Sequence, residues 1–372
     1  MSRIRWGMVG GGNDAFIGGV HRIAARIDNR FDLVAGALSS TPEKSATSAK
    51  ALGISRSYAS FAEMAETEAA REDGIEAVSI VTPNHVHAAA AQAFLEKGIH
   101  VICDKPLSSA MEDAAKMAQA VASSDALFVL THNYTGYPMI RQSRAMIAAG
   151  ELGEIRIVQA EYPQDWLTTP MEGEGLKQAE WRTDPERSGA GGCVGDIGTH
   201  AHNLACFVTE LRATSLSATL SSHVAGRLVD DDARITLQFE GGARGHIWAS
   251  QVASGNENNL TLAVYGSKGS LRWAQENPNV LWFSELGKAP QMLTRGGGAA
   301  NAAATAVTRI PAGHPEGYLE AFATLYREAA EVIISGDRTS VTLGIQDGLD
   351  GVRLVDACQR SSEDGASWIE LC

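Results

Sequence analysis

Over the first 131 residues, short uninterrupted apolar runs alternate with stretches whose apolar positions recur at helical spacing. The runs at 4–9, 33–38, 76–81, 99–103 and 127–131 read as strands, and the segments 17–27, 42–52, 61–72, 86–97 and 111–122 as helices. A strand that is apolar throughout, rather than at every second position, is buried on both faces, as in a parallel sheet covered by helices on each side. Residues 1–131 are therefore expected to form a doubly wound α/β domain.

The pattern changes after a helix at 138–149. A strand at 154–162 leads into an irregular polar loop reaching about residue 192, and an apolar helix runs from Asp196 to near Thr209. Strand patterns at 216–223, 233–239, 243–252, 260–265, 269–273 and 280–283 then follow one another directly, with hairpin-type turns at Glu240-Gly241-Gly242 and Gly266-Ser267-Lys268-Gly269. Strands joined by tight turns make an antiparallel sheet, so residues 132–372 are expected to be an α+β domain built on a large, mostly antiparallel open sheet. The Gly-, Ala- and Thr-rich stretch 295–311 is expected to be a mobile loop, and helices at 315–335 and 343–360 close the chain.

Composition narrows the classes of function. A chain of 372 residues with 44% hydrophobic and 20% charged content has room for two ordinary domains with sizeable cores. Its net charge of -13 excludes a general nucleic-acid binder or a binder of anionic membranes, and favours a small, locally recognised ligand. The five cysteines are scattered, odd in number and without a C-x-x-C pair, so neither a disulfide framework nor a metal site is expected, and a reducing cytoplasm fits. The N-terminus passes straight into a strand pattern, and no apolar run is long enough to span a bilayer.

Candidate chemistry sits where the strands end. Gly10, Gly12 and Ala15 form a G-x-G-x-x-A pattern between the first strand and the first helix. Gly10 allows a tight turn, Gly12 lets a pyrophosphate approach the backbone, and a small residue at 15 lets helix and strand pack closely, with the phosphates at the helix N-terminus. In this context the pattern implies dinucleotide binding and a Rossmann domain. Asn13, Phe16 and Ile17 in the same turn are counted with the cofactor contacts. The second strand ends in Ser39 and Ser40, with Lys44 nearby, where an acid would grip the ribose of NAD or an Arg the extra phosphate of NADP. NAD is the expected cofactor, with NADP not excluded.

The third strand ends in Thr82-Pro83-Asn84-His85-Val86-His87 and the fourth in Cys103-Asp104-Lys105-Pro106. Thr82 and Asn84 can bond a cofactor or serve the turn; Lys105 can face a developing negative oxygen or simply be solvated. Further along, Asp196 and His200 are four apart, which places a carboxylate beside an imidazole on one helix face. The plainer alternative is that Asp196 caps the helix. Asn133, Tyr134, Asp165, Trp166 and Arg182 are substrate candidates, since Trp offers a face to the C–H side of a sugar and Asp and Arg offer partners for hydroxyls.

Taken in order, Gly10-Gly11-Gly12, Thr82-Pro83-Asn84-His85-Val86-His87, Asp104-Lys105-Pro106 and Asp196-Ile197-Gly198-Thr199-His200 closely resemble the glucose–fructose oxidoreductase / inositol dehydrogenase / rhizopine catabolism protein (Gfo/Idh/MocA) family over essentially the whole chain. With His314-Pro315-Glu316-Gly317-Tyr318, they resemble its sugar- and inositol-oxidising members, such as scyllo-inositol or L-glucose dehydrogenases. The resemblance implies that Lys105, Asp196 and His200 are catalytic, that Gly10, Gly12, Thr82, Asn84, His87 and Asp104 surround the cofactor, and that Asp196, His200 and His314 meet substrate. Asp104 stands where the family commonly has Glu, and Ser39 replaces a frequent acid.

The activity so implied is NAD(P)-dependent, reversible oxidation of a secondary hydroxyl of a cyclic polyol or sugar to a ketone or lactone. The partner is a small molecule, with no nucleic acid or membrane, and the chain is expected to form dimers or tetramers through the open face of the second-domain sheet. Two alternatives stay open: an NAD-dependent glycosidase of the same family, and a non-catalytic dinucleotide-dependent sugar sensor.

Overall fold

The computed structural model describes residues 3–13, 15–172, 177–338 and 341–371. The chain forms two compact units, Met1–Asn133 with Phe322–Asp350 and Tyr134–Ala321 with Gly351–Cys372. Among the described residues, no helix is long and apolar enough to cross a membrane.

In the first unit the chain runs β1 (Ile4–Gly10), α1 (Phe16–Ile27), β2 (Phe31–Ala37), α2 (Pro42–Ala51), β3 (Arg56–Ser57), α3 (Phe61–Ala69), β4 (Ala77–Val81), α4 (His87–Leu95), β5 (His100–Cys103), α5 (Met111–Ala122) and β6 (Phe128–Leu130). All the strands pair in parallel, in the order β3-β2-β1-β4-β5-β6. This is the order of a Rossmann sheet, and the chain reverses direction across it between β1 and β4. Every residue of β4 is buried, as continuous apolar runs predict.

Residues 322–350 pack with this unit, whereas the sequence pattern assigned everything beyond 131 to the second. Tyr326 supplies the reason. Its hydroxyl bonds Ser79 of β4 (2.6 Å) and His21 of α1 (2.8 Å), and Trp6 of β1 donates its indole N–H to the same Ser79 (2.9 Å). The ring also meets Trp6 and Phe31 edge to face. A tyrosine some 200 residues downstream of the last strand thus completes the core, which no local pattern announces.

The second unit contains α6 (Pro138–Ala148), β7 (Ile155–Pro163), α7 (Lys177–Arg182), α8 (Pro185–Ser188), a π-helical turn at Val194–Gly198, α9 (Thr199–Thr209), β8 (Ala213–Ser221), β9 (Asp232–Phe239), β10 (Arg244–Ser250), β11 (Thr261–Gly266), β12 (Gly269–Ala274), β13 (Val280–Glu285), β14 (Gln291–Thr294) and α10 (Ala302–Val307). Helices α11 (Tyr318–Ser335) and α12 (Ile345–Glu363) and the short β15 (Ile369–Glu370) close the chain. Among the described residues nine strands order as β14-β13-β12-β11-β7-β10-β9-β8-β15, and only the β7–β10 pair runs parallel.

Here burial alternates along each strand. Val158, Ala160 and Tyr162 of β7 and Leu262 and Val264 of β11 are buried on the side where α9 packs, while Ile157 and Tyr265, paired across the strands, are exposed on the other. Stretch 295–311 is not the loose loop its composition suggests. Arg295 is buried, bonds Glu316 (3.1 Å), Asn279 (2.8 Å) and the carbonyls of Ile310 (2.8 Å) and Pro311 (3.0 Å), and α10 is capped by the Asn301 side chain. A low-complexity composition conceals a segment pinned by one buried guanidinium.

Candidate active site

In the first unit, β1 delivers Gly10 to the point where the sheet order reverses, paired with Val81 at the end of β4. Gly10 has φ +74, and a Cβ there would stand 2.6 Å from the Val81 carbonyl oxygen. A Cβ at Gly12 would meet the Leu38 carbonyl and the Ser48 hydroxyl, each at 2.9 Å. The close packing of helix on turn falls to Gly18, not Ala15: a Cβ at Gly18 would stand 2.4 Å from Gly11 Cα, while Ala15 is the half-buried residue ahead of α1. Arg22, buried one turn further along α1, donates to the Gly11 carbonyl and holds the turn from below.

The other strand ends converge on the same edge. Thr82 follows β4 with a buried hydroxyl that has no hydrogen-bond partner among the described residues. Asn84 is buried at the start of a 3-10 turn. Asp104, after β5, accepts from the Thr131 hydroxyl (2.9 Å), and His21 Nε2 stands 3.7 Å from the same oxygen, an ion-pair distance. Burial alone would raise the Asp104 pKa, but the His21 ring, with Lys105 and His87 adding, holds it below the ordinary 3.8. Lys105 follows, half-buried.

His87 does something other than expected. Its Nδ1 lies 2.8 Å from the Pro106 carbonyl and its Nε2 2.9 Å from the Thr82 carbonyl, so the ring braces two strand-end loops against each other and both nitrogens face protein. Burial holds its pKa below 6.5, and a neutral ring donates to one of the two carbonyls. Ser39 accepts the Thr41 amide (3.2 Å) and so serves its own turn, while Ser40 and Lys44 are exposed. Asn13 is exposed, Ile17 half-buried, and Phe16 71% exposed.

In the second unit, Asp196 lies inside the π-helical turn, which runs without a break into α9. It is therefore not the helix cap, and its carboxylate is engaged elsewhere. Arg182 Nε (3.1 Å) and Gln251 Nε2 (2.9 Å) both donate to Asp196 Oδ2. Such π turns insert an extra residue and recur at functional sites. His200, one turn on, is buried with its ring against Tyr134 (centroids 4.9 Å apart, edge to face) and Tyr162 (6.3 Å). Tyr134 does not offer its hydroxyl outward, because it is bonded to the Tyr162 hydroxyl, which donates in turn to Asn258 Oδ1 (2.8 Å). Burial raises the pKa of both phenols, so the cage around His200 stays neutral.

The remaining candidates are dispersed. Trp166 donates to Gln164 (3.0 Å), and Arg182 lies over the Trp181 ring (4.4 Å) and further from Trp166 (6.0 Å). Asp165 accepts the Gly255 amide (3.1 Å). Asn133 is buried with an unpartnered Nδ2, and His314 is exposed. Gln251, Tyr162 and Gly18 were not foreseen. Only Gly18 left a local trace, as a glycine pair inside a helix pattern.

The parallel sheet, with its glycine turn at the reversal point, defines a dinucleotide-binding domain. The glycine cradle and the unpartnered Thr82 hydroxyl fit a bound dinucleotide. Residues 4–132 match the oxidoreductase family with an NAD-binding Rossmann fold, and residues 140–272 match the GFO/IDH/MocA C-terminal domain. The chain belongs to this family and is an NAD-binding oxidoreductase. It is similar to an oxidoreductase from Sinorhizobium meliloti (53% identity, 99% of this chain and 100% of that one, TM-score 0.91). It is also similar to an inositol dehydrogenase homologue from Azotobacter vinelandii solved with NADH and myo-inositol (37% identity, 99% and 98% covered, TM-score 0.92). Among curated proteins it resembles the levoglucosan dehydrogenase of Pseudarthrobacter phenanthrenivorans (27% identity over 76% of each chain).

Proposed function

We propose that the protein oxidises a secondary hydroxyl of a neutral cyclic polyol or sugar, reversibly and with NAD. The observation that carries this reading is the Asp196–His200 helix: a buried imidazole and a carboxylate compensated by Arg182 and Gln251, in a chain whose first unit binds NAD. The resemblance to an inositol dehydrogenase homologue and a levoglucosan dehydrogenase supports the substrate class.

In this reading Gly10, Gly12, Thr82, Asn84 and Asp104 hold the cofactor. Bound NAD supplies the hydride acceptor. His200 takes the hydroxyl proton as general base, Asp196 favours the imidazolium that results, and Lys105 donates a hydrogen bond to the developing alkoxide. Each needs a different protonation state, since Lys105 must be charged and His200 neutral before reaction. His87 and Tyr134 act by packing.

The test offers the protein NAD or NADP with myo-inositol, levoglucosan and D-xylose and follows NADH or NADPH absorbance. Turnover with NAD that Lys105→Ala lowers by about 100-fold, with NAD affinity retained, is expected. Bound NAD without turnover of any of the three would sink the reading, and release of nitrophenol from an added p-nitrophenyl glycoside without net reduction of NAD would point to a glycosidase. We further propose a cytoplasmic homo-oligomer joined through the exposed sheet face of Ile157, Tyr265, Trp282 and Met292. Light scattering that returns only a monomer would refute the assembly.

A further inference from the structure

The turn that carries Asp196 is itself held by an acid that the catalytic reading does not use. Asp230 lies two residues before β9 and is buried. Its Oδ1 accepts the Gly192 amide (2.7 Å), and its Oδ2 accepts the Val194 amide (2.8 Å) and the Cys193 thiol (3.0 Å). Its own carbonyl accepts the Cys193 amide (2.8 Å). Three consecutive residues at the start of the helical segment are thus tied to one side chain. The first amides of a helix lack intrahelical acceptors and attract negative charge. Asp230 fills that need from a distant strand, so the capping role open to Asp196 in the sequence is filled by another residue.

Packing makes the arrangement tight. A Cβ at Gly192 would stand 2.1 Å from the Asp230 carbonyl oxygen, so only glycine lets the turn approach. Gly192 therefore serves this contact. All of the donors to Asp230 are neutral, unlike those of its neighbours: Asp231 pairs with Arg227 (3.0 Å) and Asp232 with Arg234 (3.2 Å). The next residue extends the clamp. The Asp231 carbonyl accepts the Gln251 amide (2.8 Å), and the Gln251 side chain binds the Asp196 carboxylate.

We propose that Asp230 is a positioning residue for the oxidation: it caps the turn bearing Asp196 and, with Asp231, sets where the Asp196 carboxylate points and what binds it. The proposal rests on the catalytic reading of Asp196 and His200. It predicts that loosening the cap harms turnover and leaves the dinucleotide cradle alone.

The experiment compares wild type, Asp230→Asn, Gly192→Ala, Asp196→Asn and the double variant Asp230→Asn/Asp196→Asn, each checked for folding, with myo-inositol, levoglucosan and D-xylose as probes. Asp230→Asn keeps the shape but sets an amide N–H2 against a donor. It is expected to lower kcat by about 10- to 100-fold, the scale of a small misplacement of reacting groups, with KM and the NAD Kd within about twofold of wild type. Its pH profile of kcat is expected to shift, and its effect to disappear in the Asp196→Asn background, as for residues that act through one another. Gly192→Ala, which pushes on the same contact from the other side, should lower kcat similarly.

A kcat within about twofold of wild type in both folded single variants overturns the proposal, as does an effect that adds fully to that of Asp196→Asn. Failure of both Asp230→Asn and Gly192→Ala to fold overturns it too, making Asp230 a folding residue. Asp196→Asn at the wild-type rate, or no turnover of any probe by wild type, defeats the catalytic reading beneath it instead.

Discussion

The dinucleotide cradle and the Asp196–His200 cluster are built from opposite kinds of backbone. In the cradle, each candidate group is displayed where a parallel strand stops: Gly10 at the end of β1, Thr82 after β4, Asp104 and Lys105 after β5. The sheet fixes these ends by its register, so neighbours in space are given by strand order. The cluster instead hangs on one helical segment with a π turn, and its partners come from α7, the residue after β10, the residues before β9, and β7. A strand-end site is therefore specified by short motifs, whereas a helix-borne site is specified by long-range packing.

If that contrast holds, substitutions in the cluster should act on turnover and substitutions in the cradle on cofactor binding. The largest expected effect is His200→Ala. Loss of a general base should lower kcat by about 100- to 10,000-fold and remove the acidic limb of the pH profile, with the NAD Kd unchanged by titration calorimetry. A loss of NAD binding in that variant would break the division. Gln251→Ala removes a hydrogen bond to the Asp196 carboxylate and should lower kcat by about tenfold, the scale of a hydrogen bond to a charged group. Unchanged steady-state kinetics there would remove Gln251 from the cluster.

Thr82→Val sharpens the cradle side. Its hydroxyl is buried without a partner among the described residues, so the variant should weaken NAD by about fivefold while the ligand-free protein melts no lower than wild type. A clear fall in the ligand-free Tm would make Thr82 structural. The smallest effect concerns His87. Its pKa is depressed by burial, so its contribution to stability is present above the unfolded value near 6.5 and is lost as pH falls through the folded one. His87→Gln should therefore show a shallower loss of Tm than wild type between about pH 7 and about pH 5. Parallel curves for the two proteins would show that His87 does not carry this linkage.

Legibility in the sequence followed the same division. Strands buried on both faces leave continuous apolar runs, and a glycine turn between strand and helix is local, so β1, β2, β4, β5, β6 and the glycine turn were readable from single segments, whereas the two-residue β3 left no run to read. Asp196 and His200 were read as a pair because four residues make one helical turn, and the structure places Asp196 in a π turn with Arg182 and Gln251 on its carboxylate. Their surroundings were not readable. Arg182 was read as a substrate candidate in a polar loop, Gln251 fell within a strand pattern, and Asp230 is one of three consecutive acids, and nothing local distinguishes a buried cap from a solvated acidic run. Likewise 295–311 has the composition of a loop because its order comes from Arg295 bonding to Glu316 and Asn279.

What the sequence determined by itself is most of the longer elements and the NAD-binding turn, because each depends on residues within a few positions of one another. The tertiary structure decided which candidate side chains are held and by what. Tyr326 completes the first unit's core, His87 becomes a brace, and the helix cap passes from Asp196 to Asp230. The physical reason is desolvation: a buried polar group must find its partner wherever the fold brings one, and that partner's distance along the chain is set by topology and not by spacing.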